Sequence, residues 1–119
     1  MNLRVGIGYD VHPFAAGRPL VLGGVVVPHD RGLAGHSDAD AVAHAIADAM
    51  LGALALGDLG THFPDDDPAW RTANSLALLV RERTLVADRG FAVGNVDATV
   101  VTERPRRASP ACSASSARA

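Results

Sequence analysis

The N-terminal third of the chain alternates between apolar and polar positions in short runs that are typical of β-strands. Residues 3–9 alternate well enough to predict a first strand. Residues 19–28, PLVLGGVVVP, contain two β-rich runs around Gly23-Gly24, and two adjacent residues that tolerate positive φ predict a tight hairpin turn. Pro28 ends the second run, and residues 29–35 are predicted to form a loop.

Residues 36–57 change to a helical period. Ser37, with Asp40 three residues later, predicts a helix N-cap and its acidic capping-box partner. The Ala-rich body has high helix propensity, and Gly57 is the predicted stop. On another face the polar residues Asp40, His44 and Asp48 recur every fourth position. The apolar stripe at helical spacing consists of Val42, Ile46, Ala49, Met50 and Ala53.

A polar loop, a second helix and a further strand follow. Residues 58–70 form the loop, and the second helix is predicted from an Asn74-Ser75 cap to Arg89, with Gly90 as its left-handed terminator. Residues 94–103, GNVDATVVTE, alternate again and predict a strand with one face in water.

This order of elements predicts an α+β fold, in which a mixed β-sheet carries helices on one face. Residues 1–105 are expected to form one domain. Residues 106–119, RRASPACSASSARA, contain no Val, Ile, Leu or Phe, so we expect a disordered polar tail there. The last strand would leave a sheet edge and one face poorly covered, so either another chain covers them or part of the fold is absent.

Composition narrows the class of protein. The 119 residues are 48% hydrophobic with a net charge of −2, which gives no basic field for nucleic acid or an anionic membrane surface. The single Cys112 rules out an internal disulfide and fits a reducing compartment. No apolar run is long enough to span a bilayer, and the N-terminus has no signal-type segment. We therefore expect a soluble cytoplasmic protein.

Asp10 and His12 stand two residues apart at the end of the first predicted strand. In an extended backbone, residues i and i+2 point to the same side, so the carboxylate and the imidazole would aim at one spot. His44 on the first helix is the expected third ligand, and the three would leave an open position, as in a catalytic zinc site. Zn²⁺ suits these ligands best, while Mn²⁺, Fe²⁺ or Co²⁺ fit the geometry. The alternative is that Asp10 caps a turn and His44 is an ordinary structural histidine.

Three further polar features permit two interpretations each. His36-Ser37 stands where a helix begins, where either a phosphate binds to outward N–H groups or Ser37 simply caps the helix. The run FPDDDP, residues 63–68, consists of either solvated turn acids or a segment that orders around a substrate. Asp58 follows Gly57, and the alternative to a binding role is that it only completes the helix stop.

Four motifs in order give a more specific indication: GYDVHPF, LGGVVVP, GLAGHSDADAVAHAIADAMLGALALGDLGTHFPDDDP and GNVDATVVTERPR. Together they closely resemble the 2-C-methyl-D-erythritol 2,4-cyclodiphosphate synthase family of the non-mevalonate isoprenoid pathway. The resemblance runs almost without gaps over residues 4–106. It implies a homotrimer with active sites at the subunit boundaries, and a zinc ion held by Asp10, His12 and His44.

The resemblance also implies roles in substrate binding. His36 and Ser37 would contact a substrate phosphate, with His36 as the catalytic residue that supports the transition state. Asp58, Leu59 and Gly60 would hold the methylerythritol part. A mobile flap over it would consist of Phe63, Pro64, Asp65, Asp66 and Asp67. The cytidine pocket of the neighbouring subunit's site would be lined by Thr102, Glu103, Arg104, Pro105 and Arg106.

The implied reaction is an intramolecular phosphoryl transfer. The 2-phosphate of 4-diphosphocytidyl-2-C-methyl-D-erythritol 2-phosphate attacks the β-phosphorus, a cyclic diphosphate forms and CMP leaves. A second divalent ion, Mg²⁺ or Mn²⁺, would bridge the diphosphate. No protein nucleophile is needed, because the attacking and leaving groups are parts of one molecule.

The resemblance stops near Arg106, where the family continues with a further helix, a strand and a TT-x-E-x-LGF segment. The abrupt change suggests a frameshift, which comparison with the underlying nucleotide sequence would test, and we expect reduced or no synthase activity. Two other functions remain open: a zinc-dependent phosphohydrolase, and a non-catalytic metal-binding fragment that forms trimers.

Overall fold

The computed structural model describes residues 2–35, 37–64, 66–70 and 73–103. Its elements in chain order are β1 Phe14–Ala16, β2 Leu20–Leu22, β3 Val25–Val27, β4 Arg31–Leu33, α1 Ala41–Ala53, α2 Leu59–His62 and α3 Ser75–Asp88. Across these described ranges, no helix has the length and apolar character that crossing a membrane requires. The predicted disordered tail, residues 106–119, lies outside the described residues.

The predicted hairpin at residues 19–28 is confirmed. β2 and β3 pair antiparallel, with Leu20 opposite Val27 and Leu22 opposite Val25. Gly23 and Gly24 form the two-residue turn at φ of 61° and 78°, the left-handed values that such a turn requires. A side chain at Gly24 would also collide with Leu76, because its Cβ would lie 2.4 Å from Cδ1 of that leucine. This turn is therefore held against the start of α3.

The loop prediction for residues 29–35 is wrong at its centre, where β4 pairs antiparallel with β1. Gly32, opposite Ala15, explains why the sequence pattern missed this strand. A Cβ at Gly32 would lie 2.3 Å from the carbonyl oxygen of Pro19, so the chain crosses β4 closely at this point. Glycine weakens the strand signal in the sequence, but the tertiary crossing requires it here.

The strands predicted at residues 3–9 and 94–103 are not formed within the described ranges. The first segment lies directly against α1, since a Cβ at Gly6 or Gly8 would fall within 2 Å of a carbonyl oxygen of that helix. Val5 and Ile7 consequently point outward and are 93% and 90% exposed. The backbone has the side-chain alternation of a strand without the hydrogen-bonded ladder that defines one.

Helix α1 begins at Ala41 with Asp40 as its N-cap, so the prediction of a cap at Ser37 is wrong. Ser37 and Ala39 have φ of 54° and 52°, and this left-handed backbone cannot continue a helix. The helix buries a different stripe from the predicted one: Ala43, Ala47 and Leu51. The predicted stripe is only half-buried, because it faces the N-terminal segment and not the core.

Helix α3 agrees with its prediction, with Asn74 as the N-cap and Gly90 at φ 82° after its end. It packs on α1 through a face that includes Leu78 and Val86, both buried. A second apolar cluster lies under the strands, where Leu20, Val27 and Leu33 meet Ala39. The α+β class is confirmed, although the described residues form two small antiparallel sheets in place of one mixed sheet.

Candidate metal centre and active site

Asp10, His12 and His44 converge where the N-terminal segment passes the first turn of α1. Oδ2 of Asp10 lies 2.7 Å from Nε2 of His12 and 3.3 Å from Nδ1 of His44. One ligand atom from each of the three residues lies within 4.8 Å of the other two. The expected trio therefore comes together, although the segment that carries Asp10 and His12 is not a paired strand.

The ring of His12 is oriented by its second nitrogen, Nδ1, which lies 2.8 Å from the carbonyl oxygen of Ala34. A carbonyl only accepts hydrogen bonds, so Nδ1 carries a hydrogen and Nε2 is the nitrogen that faces Asp10; in the neutral form of the ring, Nε2 carries the lone pair. Gly35 makes room for this ring, because a Cβ there would lie 2.7 Å from Nδ1 of His12. The carbonyl group of Ala34 and the absence of a side chain at Gly35 thus set the position of the His12 ring.

The ring of His44 is oriented in the same way by a different partner. Its Nε2 lies 2.8 Å from Oγ of Ser75, the first residue of α3. The hydroxyl of Ser75 donates to Oδ1 of Asp38 in a short contact, so Oγ accepts from Nε2–H of His44. Nδ1 is consequently the nitrogen of His44 that faces Asp10, and in the neutral form of the ring it carries the lone pair.

The donor set fits a divalent cation. In the neutral forms of both imidazoles, two ring nitrogens and one carboxylate oxygen direct lone pairs at the same point, and a divalent cation placed there would be bound by all three. Each imidazole donates its other N–H to an oxygen, which is the usual support of metal-bound histidine. Two nitrogens and one oxygen suit Zn²⁺ and leave a further coordination position.

The trio lies in a cavity of about 240 Å³. Six further residues that the sequence resemblance places on the substrate line the same cavity: Ser37, Asp58, Leu59, Gly60, Phe63 and Pro64. Three other lining residues were not expected at the site from the sequence: Asp48, Trp70 and Leu78. Most of the expected site residues that the structure describes therefore form one concave surface within a single chain.

Asp48 connects α1 to the loop that carries Asp58. Its Oδ1 accepts a 2.7 Å hydrogen bond from the backbone N–H of Leu59. The repeat of Asp40, His44 and Asp48 at every fourth position was the only feature of the sequence that could have indicated a role for Asp48. In the structure these three residues act separately, as helix cap, candidate ligand and loop anchor.

Asp58 is the N-cap of α2 and accepts two hydrogen bonds at Oδ1. Oγ1 of Thr61 donates over 2.7 Å and the backbone N–H of Thr61 donates over 2.8 Å. The hydroxyl of Thr61 is the main cause that lowers the pKa of Asp58 below its usual value, followed by the backbone N–H. Asp58 therefore presents a carboxylate to the cavity at neutral pH.

An aromatic pair forms one wall of the cavity. The rings of Phe63 and Trp70 meet edge to face with centroids 4.8 Å apart, and the guanidinium of Arg81 covers the Trp70 ring at 4.6 Å. Phe63 is buried, which gives this side of the cavity an apolar lining. Trp70 follows a Pro-rich loop, and the sequence did not show that it folds back onto Phe63.

Other predicted site residues lie elsewhere or outside the described ranges. Thr102 and Glu103 line a second groove, between residues 6–14, α1 and residues 96–103. In the acidic loop, Asp67 accepts a hydrogen bond from the N–H of Ala69, as a turn-forming acid does, and Asp66 is exposed. The following predicted site residues lie outside the described residues: His36, Asp65, Arg104, Pro105 and Arg106.

In a comparison with known families, the model of the YgbB family matches residues 3–115. The chain belongs to the YgbB family. A relative of this YgbB-family chain is 2-C-methyl-D-erythritol 2,4-cyclodiphosphate synthase of Salinibacter ruber, 64% identical over 104 residues. The alignment covers 87% of this chain and 66% of the relative.

A second relative is the synthase of the same name from Geotalea daltonii, 58% identical over 106 residues, with 89% of this chain and 62% of the relative covered. Among solved structures, a 2C-methyl-D-erythritol-2,4-cyclodiphosphate synthase superposes with a TM-score of 0.69 and 47% identity, over 73% of this chain and 58% of that chain. A CDP complex of IspF from Plasmodium falciparum gives 0.64 and 37%, over 79% and 56%. The YgbB-family chain thus spans about two thirds of the length of its sequence relatives.

Proposed function

We propose that this chain carries the active site of a 2-C-methyl-D-erythritol 2,4-cyclodiphosphate synthase. The reaction converts 4-diphosphocytidyl-2-C-methyl-D-erythritol 2-phosphate to the cyclic diphosphate and releases CMP. The observation that carries the proposal is the convergence of Asp10, His12 and His44 on a cavity whose other walls include the expected substrate residues. The names of the similar proteins support the same assignment.

The charge of the cavity supports a cation-dependent reaction. Three carboxylates line it, those of Asp10, Asp48 and Asp58, so an anionic substrate would be repelled by the cavity alone. In the proposal Asp10, His12 and His44 hold Zn²⁺ or another divalent metal, and Mg²⁺ or Mn²⁺ accompanies the substrate diphosphate. Such ions supply positive charge that offsets the charge on the phosphoryl oxygens.

The chain's own residues position the substrate. Both bonds from Thr61 end on Oδ1 of Asp58, and in the proposal Oδ2 accepts a hydroxyl of the methylerythritol part. Asp48 holds the adjoining backbone N–H of Leu59 beside α1. Because the reaction is intramolecular, fixing the substrate's conformation in this cavity supplies much of the rate enhancement.

The remaining expected roles belong to the same proposal. His36 and Ser37 contact the substrate phosphate, and Phe63, Pro64 and residues 65–67 cover the methylerythritol part. Thr102, Glu103 and residues 104–106 line a cytidine pocket across a subunit boundary of a cytoplasmic homotrimer. The solved CDP-bound synthases support a cytidine nucleotide as part of the ligand.

Product analysis by ³¹P NMR tests the reaction. The purified chain, with Zn²⁺ and Mg²⁺, is expected to form the cyclic diphosphate and CMP in equal amounts, at a rate well below that of the Salinibacter ruber relative. Release of free phosphate would contradict the proposal in favour of a zinc-dependent phosphohydrolase. Metal binding without any turnover would contradict it in favour of a non-catalytic metal-binding protein.

Metal content provides the second test. The wild-type chain is expected to bind one Zn²⁺ tightly, and His44→Ala is expected to abolish that binding. His29→Ala is the matched control, because His29 lies away from the cavity beside Asp30 and is expected to leave zinc binding unchanged. Equal zinc content in wild type and His44→Ala would contradict the assigned ligand set.

A further inference from the structure

Ser75 is a buried serine at the start of α3, and only 1% of its surface is exposed. Its Oγ lies 2.8 Å from Nε2 of His44, the ring nitrogen that points away from Asp10. We propose that Ser75 and Asp38 are positioning residues, which fix the tautomer and orientation of His44 so that Nδ1 is the metal-facing atom. The inference rests on the metal centre of the proposed function, but it concerns two residues outside its ligand set.

The hydrogen-bond capacity of the Ser75 hydroxyl determines the direction of each bond. A hydroxyl has one hydrogen and accepts at most two hydrogen bonds. The hydrogen is donated to Oδ1 of Asp38, since a carboxylate only accepts. Oγ then accepts from Nε2–H of His44 at 2.8 Å and from the hydroxyl of Ser37 at 3.2 Å. All the hydrogen-bonding positions of the hydroxyl are then occupied, and the neutral form of His44 carries its lone pair on Nδ1.

Asp38 is itself held in place by two backbone groups. Its Oδ2 accepts from the N–H of Ser75 and its Oδ1 accepts from the N–H of Asp40, each over 3.2 Å. These bonds tie the loop before α1 to the first residue of α3. The chain of bonds from Asp38 through Ser75 to His44 therefore connects α1 and α3, which are far apart in sequence.

The anionic end of this chain strengthens the candidate ligand. A carboxylate that polarises the Ser75 hydroxyl makes Oγ a better acceptor for Nε2–H of His44. Partners of this kind raise the basicity of a metal-bound imidazole, and their loss typically weakens metal binding 10- to 100-fold. Ser37, which the proposed function places on the substrate phosphate, shares the same hydroxyl, so Ser75 joins the metal side of the cavity to the phosphate side.

Two readouts on the full chain test this inference. The first is the His44 tautomer in the metal-free protein, measured by ¹⁵N–¹H correlation of the ring nitrogens at about pH 8.5, where an ordinary imidazole is neutral. Wild type is expected to show the Nε2–H form, and Ser75→Ala a mixture of both forms. The second readout is the Zn²⁺ dissociation constant, measured by competition with a chromophoric chelator, which we expect Ser75→Ala to raise about 10- to 100-fold.

Asp38→Asn is the second variant, in case Ser75→Ala does not fold. It keeps the shape of the side chain but removes its charge, and we expect a smaller rise of the Zn²⁺ dissociation constant. Asn74→Ala is the matched control for helix stability. It removes the cap that accepts from the N–H of Leu76, so it should lower the melting temperature while leaving the tautomer and the dissociation constant unchanged.

The outcomes separate this inference from the proposed function. An unchanged tautomer and an unchanged dissociation constant in Ser75→Ala and Asp38→Asn would overturn the inference, even if wild type binds zinc. A tautomer that depends on Ser75 in a chain without zinc affinity would support the positioning of His44 and contradict the proposed metal centre. If Asn74→Ala changed the tautomer and the dissociation constant as much as Ser75→Ala does, helix stability would explain both changes and the inference would be overturned.

Discussion

The buried carboxylate of Asp40 accepts a 2.6 Å hydrogen bond from the backbone N–H of Gly24, so the first turn of α1 is fastened to the β2–β3 hairpin. The other oxygen of Asp40 accepts from the N–H groups of Gly23 and Ala43, over 2.8 and 3.0 Å. One fully buried side chain thus accepts hydrogen bonds from the backbone N–H groups of both the hairpin turn and the start of the helix.

Asp40→Ala is expected to destabilise the chain by at least about 2 kcal/mol, because three backbone N–H groups lose a charged acceptor in a buried place. Urea unfolding followed by circular dichroism measures the change. Asp66→Ala is the control, since Asp66 is exposed, and it should stay within about 0.5 kcal/mol of wild type. Equal unfolding midpoints for the two variants would refute this account of Asp40.

Gly35→Ala is expected to weaken zinc binding by at least about 10-fold, because the new Cβ would lie 2.7 Å from Nδ1 of His12 and displace the ring. Isothermal titration with Zn²⁺ measures the loss. Gly17→Ala is the matched control: its φ of 77° is also left-handed, but its Cβ would meet open space. It should lose about 1–2 kcal/mol of stability and keep its zinc affinity. The prediction fails if both variants bind zinc equally well.

Glu82 predicts a pH-dependent stability. It is fully buried on α3, and within the described part of the chain neither of its carboxylate oxygens has a hydrogen-bond partner. Burial raises the pKa of Glu82 above its ordinary value of 4.5, and Asp48 adds to the rise while the charge of His62 opposes it. The folded state therefore binds the proton more tightly than the unfolded state. The destabilising contribution is absent below pH 4.5 and grows as the pH rises through the raised pKa.

Glu82→Leu is accordingly expected to stabilise the metal-free chain by about 1–3 kcal/mol at neutral pH, and by much less at acid pH. Thermal melts of both proteins across the acid-to-neutral range measure the difference. Arg83→Leu, at an exposed neighbouring position, controls for the added apolar side chain and should show little dependence on pH. A stability difference for Glu82→Leu that does not change with pH would rule out the titration of Glu82 as its cause.

Thr61→Val is expected to raise the pKa of Asp58 towards its ordinary value of 3.8, because the hydroxyl that most stabilises the carboxylate is removed. A lowered pKa contributes stability that is present above that ordinary value and is lost as the pH falls, so the variant loses part of this contribution. Side-chain carboxyl ¹³C NMR measures the titration. Thr84→Val is the control, since that hydroxyl bonds the carbonyl of Val80 on α3. An unchanged Asp58 titration in Thr61→Val would contradict the assigned cause.

Local patterns in the sequence were sufficient for the hairpin, for α3 and for the pairing of Asp10 with His12. The hairpin follows from two glycines between β-rich runs, and α3 follows from its cap and its terminal glycine. Asp10 and His12 lie side by side because an extended backbone places residues i and i+2 on one side, whether or not a partner strand is present.

Other features depend on contacts between distant segments, and the sequence rules misjudged or missed them. β4 was predicted as a loop, and its central Gly32 is a poor strand former, although the close crossing of Pro19 leaves no space for a side chain there. Ser37 was predicted as the helix cap because it has a suitable side chain, but its backbone is left-handed and Asp40 caps the helix instead. Ser75 was predicted only as part of a helix cap and Asp38 was not singled out, yet both belong to the hydrogen-bond chain that ends on His44.

The sequence by itself determined the chemistry of this protein: the donor atoms, their spacing within each element, and the α+β class. Only the tertiary structure decided which of these groups meet, which nitrogen of each imidazole faces Asp10, and which loops line the cavity. The physical reason is that side-chain period is a local property of the backbone. Hydrogen-bond partners such as Ala34 and Ser75 are chosen by the packing of segments that are 22 and 31 residues away from their histidines.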